Sequence, residues 1–510
     1  MTDAARARWL DRGAWMIVIA GCALAAWRRW VFLAESPYPL GIDGFFYAGQ
    51  LRSILEHGHL AWPASPLAFW AMAPLAALTD PIVGAKLGAA IGGAAAGLPA
   101  YALGKRLGGD RGAGLIAAAI VTTSAGSFYL SIEFVKQGVG LTVGLAYLVA
   151  LVRALERPTR ARLAIAIAAL VATALTHKFA AGLAIAVSIP ALAVELRARG
   201  QLDRARLIVI AIIAGGVAAL AIAVGALFPE RFLALRDLDL LAQLFGREAR
   251  WDAPALALPH HSLAMGYEAA IAGGLALAAV ALALTRYLEA FRVPLAAARP
   301  AERALALGFA GLALVIALPW LDVGDPQGLA FRLRLAAFVP LALVAAALGG
   351  DLATLAPQAW RLPGLATLAA AILLVQPARR EEGVVRAHPA MVAAVRALDG
   401  IVPTGDTVIV SERHIAFMAA WFARVPTALD PSTVPAAHRW RLMPLAFVGN
   451  GSPLDRALLA ARAQPTLVPP RGLHPRHPDG LVLVPEATWE WVLAQLPPKA
   501  RAYYRAWHTI

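Results

Sequence analysis

The sequence predicts an all-α polytopic membrane bundle of about eleven transmembrane helices, followed by a small α/β domain on the extracytoplasmic side. Three observations predict it. The 510 residues are 60% hydrophobic and only 15% charged, with a mean hydropathy of +0.65; a soluble globular chain is roughly half apolar and a quarter charged. Apolar runs of spanning length recur through residues 1–377. Residues 378–510 are richer in Pro, His and charge, and hold no run that could cross a bilayer. This composition excludes a disordered chain, a disulfide scaffold and an ordinary cytosolic enzyme, and it divides the chain into domains 1–377 and 378–510.

The first apolar run, from Gly13 to about Ala34, has no cleavage site before it and many spans after it, and reads as a signal anchor. Further runs lie at about 82–103, 112–130, 137–153, 162–177, 179–195, 206–228, 264–285, 304–320, 333–350 and 360–376. Several are near the lower limit of about 17 residues for a spanning helix. Pro66–Leu78 is short and bounded by proline, and reads as a re-entrant or interfacial helix. Loop charge supports this assignment. With the N-terminus in the cytoplasm, the inner segments carry about 19 Lys and Arg and the outer ones about 9, the bias of the positive-inside rule. Counting Pro66–Leu78 as a span destroys the alternation. The odd number of spans places 378–510 outside, and the expected location is the bacterial inner (cytoplasmic) membrane.

The net charge of +14 belongs to these loops. No basic run is interleaved with aromatics, so nucleic acid is not an expected partner; membrane lipids are. The one cysteine, Cys22, sits in an apolar run, which excludes an intramolecular disulfide and a paired-cysteine zinc site. In the C-terminal domain, Asp406–Ser411 and Leu481–Pro485 read as strands. Stretches near 389–399, 412–424, 453–463 and 487–496 read as helices. Asp430–Pro435 and Pro465–Asp479 read as loops.

Ionisable groups inside spans are costly and mark functional sites by default. In this topology most fall at the outer end of the bundle. Arg28 and Arg29 lie late in span 1, Lys86 near the outer end of span 2, and Glu133 and Lys136 between spans 3 and 4. His177 and Lys178 form the turn between spans 5 and 6, Glu268 lies one turn into span 8, and Arg332 and Arg334 open span 10. A transporter places its polar site near the midplane, often between inverted repeats. Cations at the outer interface instead suit a lipid phosphate, through charge-assisted hydrogen bonds; each alone also fits a side chain snorkelling to the headgroups. In the first outer loop, Asp43 stands between Gly41 and Gly44 in ESPYPLGIDGFFYAGQLRSILEHGHLA, ahead of an amphipathic helix over Phe45–Glu56 that is expected to lie in the interface. Its carboxylate either faces the membrane surface or caps that helix.

These stretches resemble the GT-C superfamily of integral-membrane glycosyltransferases, with protein mannosyltransferases and lipid A aminoarabinose transferases among its members. The resemblance is carried by Arg28 and Arg29, by GIDGFFYAGQLRSILEHG, WPASPLAFWAMAPL, EFVKQGVGLTVGLAYLVALVRAL and ALTHKFAAGLAI, and by FRLRLAAFVPLALVAA; it covers about residues 13–350. It implies a sugar moved from a polyprenyl-phosphate donor to a lipid, glycan or protein acceptor hydroxyl, with inversion. It puts the catalytic carboxylate on Asp43 and the second acidic position on Glu133. The lipid-phosphate contacts fall on Arg28 or Arg29, Lys136, His177 or Lys178, and Arg332 or Arg334, with Lys86 among the candidate cations. Many relatives carry a second acid beside the first-loop Asp, where this chain has Ile42 and Gly44. A divalent cation, Mg or Mn, on Asp43 and Glu133 is therefore an open cofactor. The WWD signature of oligosaccharyltransferases is absent.

Other candidates read as structural: His260–His261 and His474/His477 in loops, and Glu412, Arg413 and His414 at a helix start. No P-loop, GxSxG or HExxH pattern occurs. The alternatives are an O-antigen-type polymerase or ligase, which needs no base in the first outer loop, and a transporter or lipid flippase, which needs midplane charge.

Overall fold

In the computed structural model, residues 2–200, 243–246, 262–289, 300–323, 328–355, 387, 389–410, 413–428, 431–445, 453–461, 464–467 and 480–506 are described. They form two compact units. The first holds 1–34, 62–75 and 86–383; the second holds 35–61, 76–85 and 384–510.

The first unit is helical. Its elements are α1 (Asp3–Ala34), α5 (Gly97–Leu107), α6 (Arg111–Thr123), α7 (Ala125–Leu130), α8 (Val135–Glu156), α9 (Arg160–Thr176), α10 (Lys178–Ala198), α11 (Ser262–Glu289), α12 (Pro300–Ala317), α13 (Leu329–Leu335) and α14 (Phe338–Leu355), with most of α3 (Leu67–Leu78) and α4 (Pro81–Ala94). The chain is a multi-pass membrane protein. Among the described residues five helices are long and apolar enough to cross a membrane: Ala5–Ala34, Pro81–Leu107, Val135–Glu156, Lys178–Ala198 and Pro300–Ala317. Leu329–Leu335 with Phe338–Ala353, bent by 44°, makes a sixth if taken as one span.

About eleven were expected. Two of the expected runs, 206–228 and 360–376, lie outside the described residues. The run at 112–130 is broken in two, because Ser124 turns extended (φ −55°, ψ 143°) and its hydroxyl caps α7 by accepting from the Ser127 amide. The core is Ala-rich, so helices approach closely. A Cβ on Gly350 would stand 2.0 Å from the Gly108 carbonyl oxygen, which only a hydrogen tolerates.

The second unit contains α2 (Gly44–His57), α15 (Pro389–Arg396), α16 (Arg413–Phe422), α17 (Pro453–Ala460), α18 (Glu486–Ala494) and α19 (Pro498–Ala506). Its five strands are β1 (Thr407–Val410), β2 (Thr427–Ala428), β3 (Arg439–Leu445), β4 (Gln464–Leu467) and β5 (Gly480–Pro485), in the order β2-β1-β3-β5-β4. β1 runs parallel to β2 and β3; β5 runs antiparallel to β3 and β4. Val408, Ile409 and Val410 are buried, as are Leu458, Val484, Trp489, Val492 and Leu493. Buried Arg441 donates to both Glu486 oxygens at 2.6 Å and joins β3 to α18.

Two expectations are corrected here. The amphipathic helix of the first loop exists, but its apolar face is not left for the membrane interface. Phe45, Phe46, Leu51 and Ile54 are buried, and Phe417, Trp421 and Phe422 of α16 meet the aromatic pair. Pro465 does not open a loop but lies within β4, an edge strand, where a residue lacking N–H is tolerated.

Candidate functional site

In the first unit, the joint between α9 and α10 gathers cations from separate segments. His177 is extended (φ −162°, ψ 117°), ends α9, and is buried. Together the charges of Arg332, Lys136 and Lys178 act on its ring. That joint effect is also a statement of place: α8, α10 and α13 each bring a cation into electrostatic range of one imidazole. Lys136 rises over the Phe69 ring at 5.6 Å, and Arg332 over Phe134 at 5.6 Å. The Gln137 side chain donates to the Arg332 carbonyl at 3.1 Å, tying α8 to α13. Gly140 of α8 makes room for His177, since a Cβ there would lie 2.6 Å from the His177 Cβ. Arg334, two residues on, is buried, with Nε and Nη1 lacking a hydrogen-bond partner.

A second polar centre surrounds α7. The Glu268 carboxylate, buried on α11, accepts from the Ser124 hydroxyl (2.8 Å) and from the amides of Ala125 (2.7 Å) and Gly126 (3.2 Å). These three donors hydrogen-bond the buried acid. On the other side of the segment, buried Arg29 donates to Ser127 Oγ at 2.8 Å and to the Thr122 carbonyl at 3.4 Å. Its Nε and Nη1 carry no hydrogen bond. Arg28 is exposed and, with Arg29, Thr122 and Thr123, borders a cavity of about 420 Å³ whose other lining residues, such as Leu24 and Leu115, are apolar. Glu133, following α7, and Lys86, on α4, are both buried.

Asp43 belongs to the second unit. It precedes α2 with φ −90° and ψ 6° and makes no side-chain cap, so the capping alternative is not what holds it. Its Oδ1 is buried without a hydrogen bond and stands 3.7 Å from Nη2 of Arg413 on α16. A Cβ on Gly44 would lie 2.8 Å from the Pro39 Cβ, so the turn that presents Asp43 requires glycine after it.

Of the expected residues, Lys136, Lys178 and Arg332 lie within electrostatic range of His177, and Arg28 and Arg29 border the cavity beside α6. In sequence Arg413 reads as an ordinary helix start. No local pattern marks a partner about 370 residues away.

For a metal the donors do not fit. Among the described residues no group of three or more His, Cys, Asp or Glu could hold one, and Asp43 faces a guanidinium rather than a second acid. No step below uses a cation cofactor.

No family model matches the chain, and no curated protein does. Solved structures to which it is similar include ArnT from Cupriavidus metallidurans bound to undecaprenyl phosphate, at 12% identity over 93% of this chain and 98% of that one, with a TM-score of 0.48. The apo state of the same protein matches at 12% identity over 96% and 100%, with a TM-score of 0.47. The Archaeoglobus fulgidus oligosaccharyltransferase in complex with Zn and sulfate matches at 13% identity over 80% of this chain and 62% of that one, with a TM-score of 0.41.

Proposed function

We propose that this chain is a membrane glycosyltransferase of the GT-C type, moving a sugar from a polyprenyl-phosphate donor to an acceptor hydroxyl on the extracytoplasmic side. The observation that carries the reading is the gathering of Lys136, Lys178 and Arg332 about buried His177. Three cations about one imidazole form a site for an anion rather than for a neutral solute. The first-loop carboxylate and the sequence resemblance supply the rest.

In this reading the acceptor O–H gives its proton to Asp43 as its oxygen attacks the anomeric carbon. The new C–O bond forms with inversion while the bond from that carbon to the phosphate oxygen breaks. The leaving polyprenyl phosphate gains one negative charge over the donor. Lys136, Lys178 and Arg332 are the groups assigned to that developing charge. Arg28, Arg29, Lys86 and Arg334 are candidates for the same lipid phosphate, and Glu133 for orienting the acceptor. The leaving phosphate needs no proton, so one base suffices; base catalysis is worth about 10²–10⁴-fold.

The test is transfer from labelled polyprenyl-phosphate sugars in membranes. Asp43→Asn is expected to lower transfer by at least about 10²-fold while the protein still inserts. Arg332→Gln combined with Lys136→Gln is expected to raise the donor KM. No transfer by the wild type across a broad donor panel, with native membrane extract as acceptor, overturns the reading.

A further inference from the structure

We infer that Arg413, on α16 of the C-terminal unit, is the positioning residue for the Asp43 carboxylate. The inference rests on the role proposed above for Asp43 and extends it to a helix that the sequence reading treated as bystander.

α2 and α16 are joined by several pairs. Asp43 meets Arg413, Phe46 meets Phe417, Arg52 meets Ala420 and Trp421, and Glu56 meets Arg424. Phe45 also reaches Trp421 and Phe422, at the far end of α16. Arg52 does the mechanical work. Its Nη1 and Nη2 donate to the Trp421 and Ala420 carbonyls at 2.8 and 2.9 Å, in the last turn of α16, where free carbonyls and the helix dipole both favour a cation. Its guanidinium also lies 4.5 Å from the Trp421 ring centre. Phe45 packs against His414, Trp421 and Phe422 beneath it. Arg424–Glu56, largely exposed, adds little.

Arg413 differs from these. Its Nη2 comes within 3.7 Å of Asp43 Oδ1, near enough for charge attraction and too far for a hydrogen bond. A bidentate clasp would occupy the lone pairs that a general base needs. A charge contact fixes the side-chain direction and leaves Oδ1 without a hydrogen bond that would compete for a substrate proton. Removing Arg413 therefore leaves the α2–α16 contact with its Arg52 and aromatic anchors, but leaves Asp43 unaimed. Misplacement of a reacting group by about 1 Å can cost 10²-fold in rate.

The experiment is the same transfer assay on full-length protein in membranes, comparing wild type with Arg413→Gln, Arg413→Lys, Arg413→Ala and, as a control for the helix contact, Arg52→Gln. Arg413→Gln is expected to lower kcat about 10- to 100-fold with the donor KM within about twofold. Arg413→Lys keeps most of the rate, and added guanidinium ion restores part of it to Arg413→Ala, a response that lost packing alone does not give. Arg52→Gln is expected to lower the thermal midpoint more than Arg413→Gln does.

Wild-type rate in Arg413→Gln overturns this inference and leaves the proposed function standing. So does an Arg413→Lys variant as slow as Arg413→Gln together with no guanidinium rescue, because the role is then packing. A wild type that transfers nothing overturns the proposed function, and this inference with it.

Discussion

At the scale of single residues, the first unit shows why polar groups in an apolar bundle need local answers. Glu268 accepts from one hydroxyl and two amides, and Nη2 of Arg29 donates to a hydroxyl and a carbonyl. His177 is answered by a glycine. A methyl group at Gly140 would lie 2.6 Å from the His177 Cβ and 3.1 Å from that of Ala180, and neither is the end of a flexible side chain. Gly140→Ala is therefore expected to destabilise by about 1–3 kcal/mol through overpacking. Gly182→Ala in neighbouring α10 meets nothing within 4 Å and is expected to be neutral or to stabilise by up to about 1 kcal/mol. Thermal midpoints of the two purified variants in detergent separate them; equal midpoints would remove the steric account. The sequence marked the cations at this joint by position along the spans. It could not mark Gly140, because one glycine in a glycine-rich helix carries no sign of what it faces.

Among elements, strands β1 and β5 and helices α15 to α18 were legible, since each carries a short apolar run or an amphipathic period between turn residues. Strands β3 and β4 were not. β3 reads RWRLMPL, with two arginines and a proline, and its arginines are used to bind Glu486 rather than solvent. Pro444 lies beyond the four residues that β1 pairs, so its missing N–H breaks no ladder there. Where β1 and β3 begin, Asp406 accepts from Trp440 Nε1 at 2.8 Å and contacts His438 Nδ1 at 2.9 Å. The Trp440 bond first, then His438, holds the Asp406 carboxyl below its ordinary value of 3.8. A depressed carboxyl stabilises the fold above its unfolded pKa, and the contribution fades as pH falls through the folded value. Asp406→Asn is thus expected to unfold at lower temperature than wild type at about pH 7, with the gap closing as the pH is lowered through about 4 and below. A gap that stays constant across that range would assign the effect to shape rather than charge.

For the whole molecule, the membrane character was legible from composition, but the grouping of the first outer loop with the C-terminal residues was not. Residues 35–61 and 76–85 belong with 384–510, because α2 finds its apolar partner in α16, and pairing at that separation leaves no periodic trace in either segment. The orientation of the chain is a further proposal, and the proposed function depends on it. About 19 basic residues fall in the segments assigned to the cytoplasm and about 9 in those assigned outside, and orientation follows the Lys and Arg of short loops. That assignment puts 378–510 on the outer side, where lipid-linked sugars would be used. Alkaline phosphatase is active only when exported and green fluorescent protein fluoresces only when it stays inside. Fused after Ala506, the first is expected to be active and the second dark; inserted after Gly109, between α5 and α6, the pattern is expected to reverse. A fluorescent fusion after Ala506 would mean that the unit holding Asp43 lies in the cytoplasm. The extracytoplasmic transfer would then fall even if sugar transfer itself were observed, and the donor would have to be sought among the cell's soluble activated sugars.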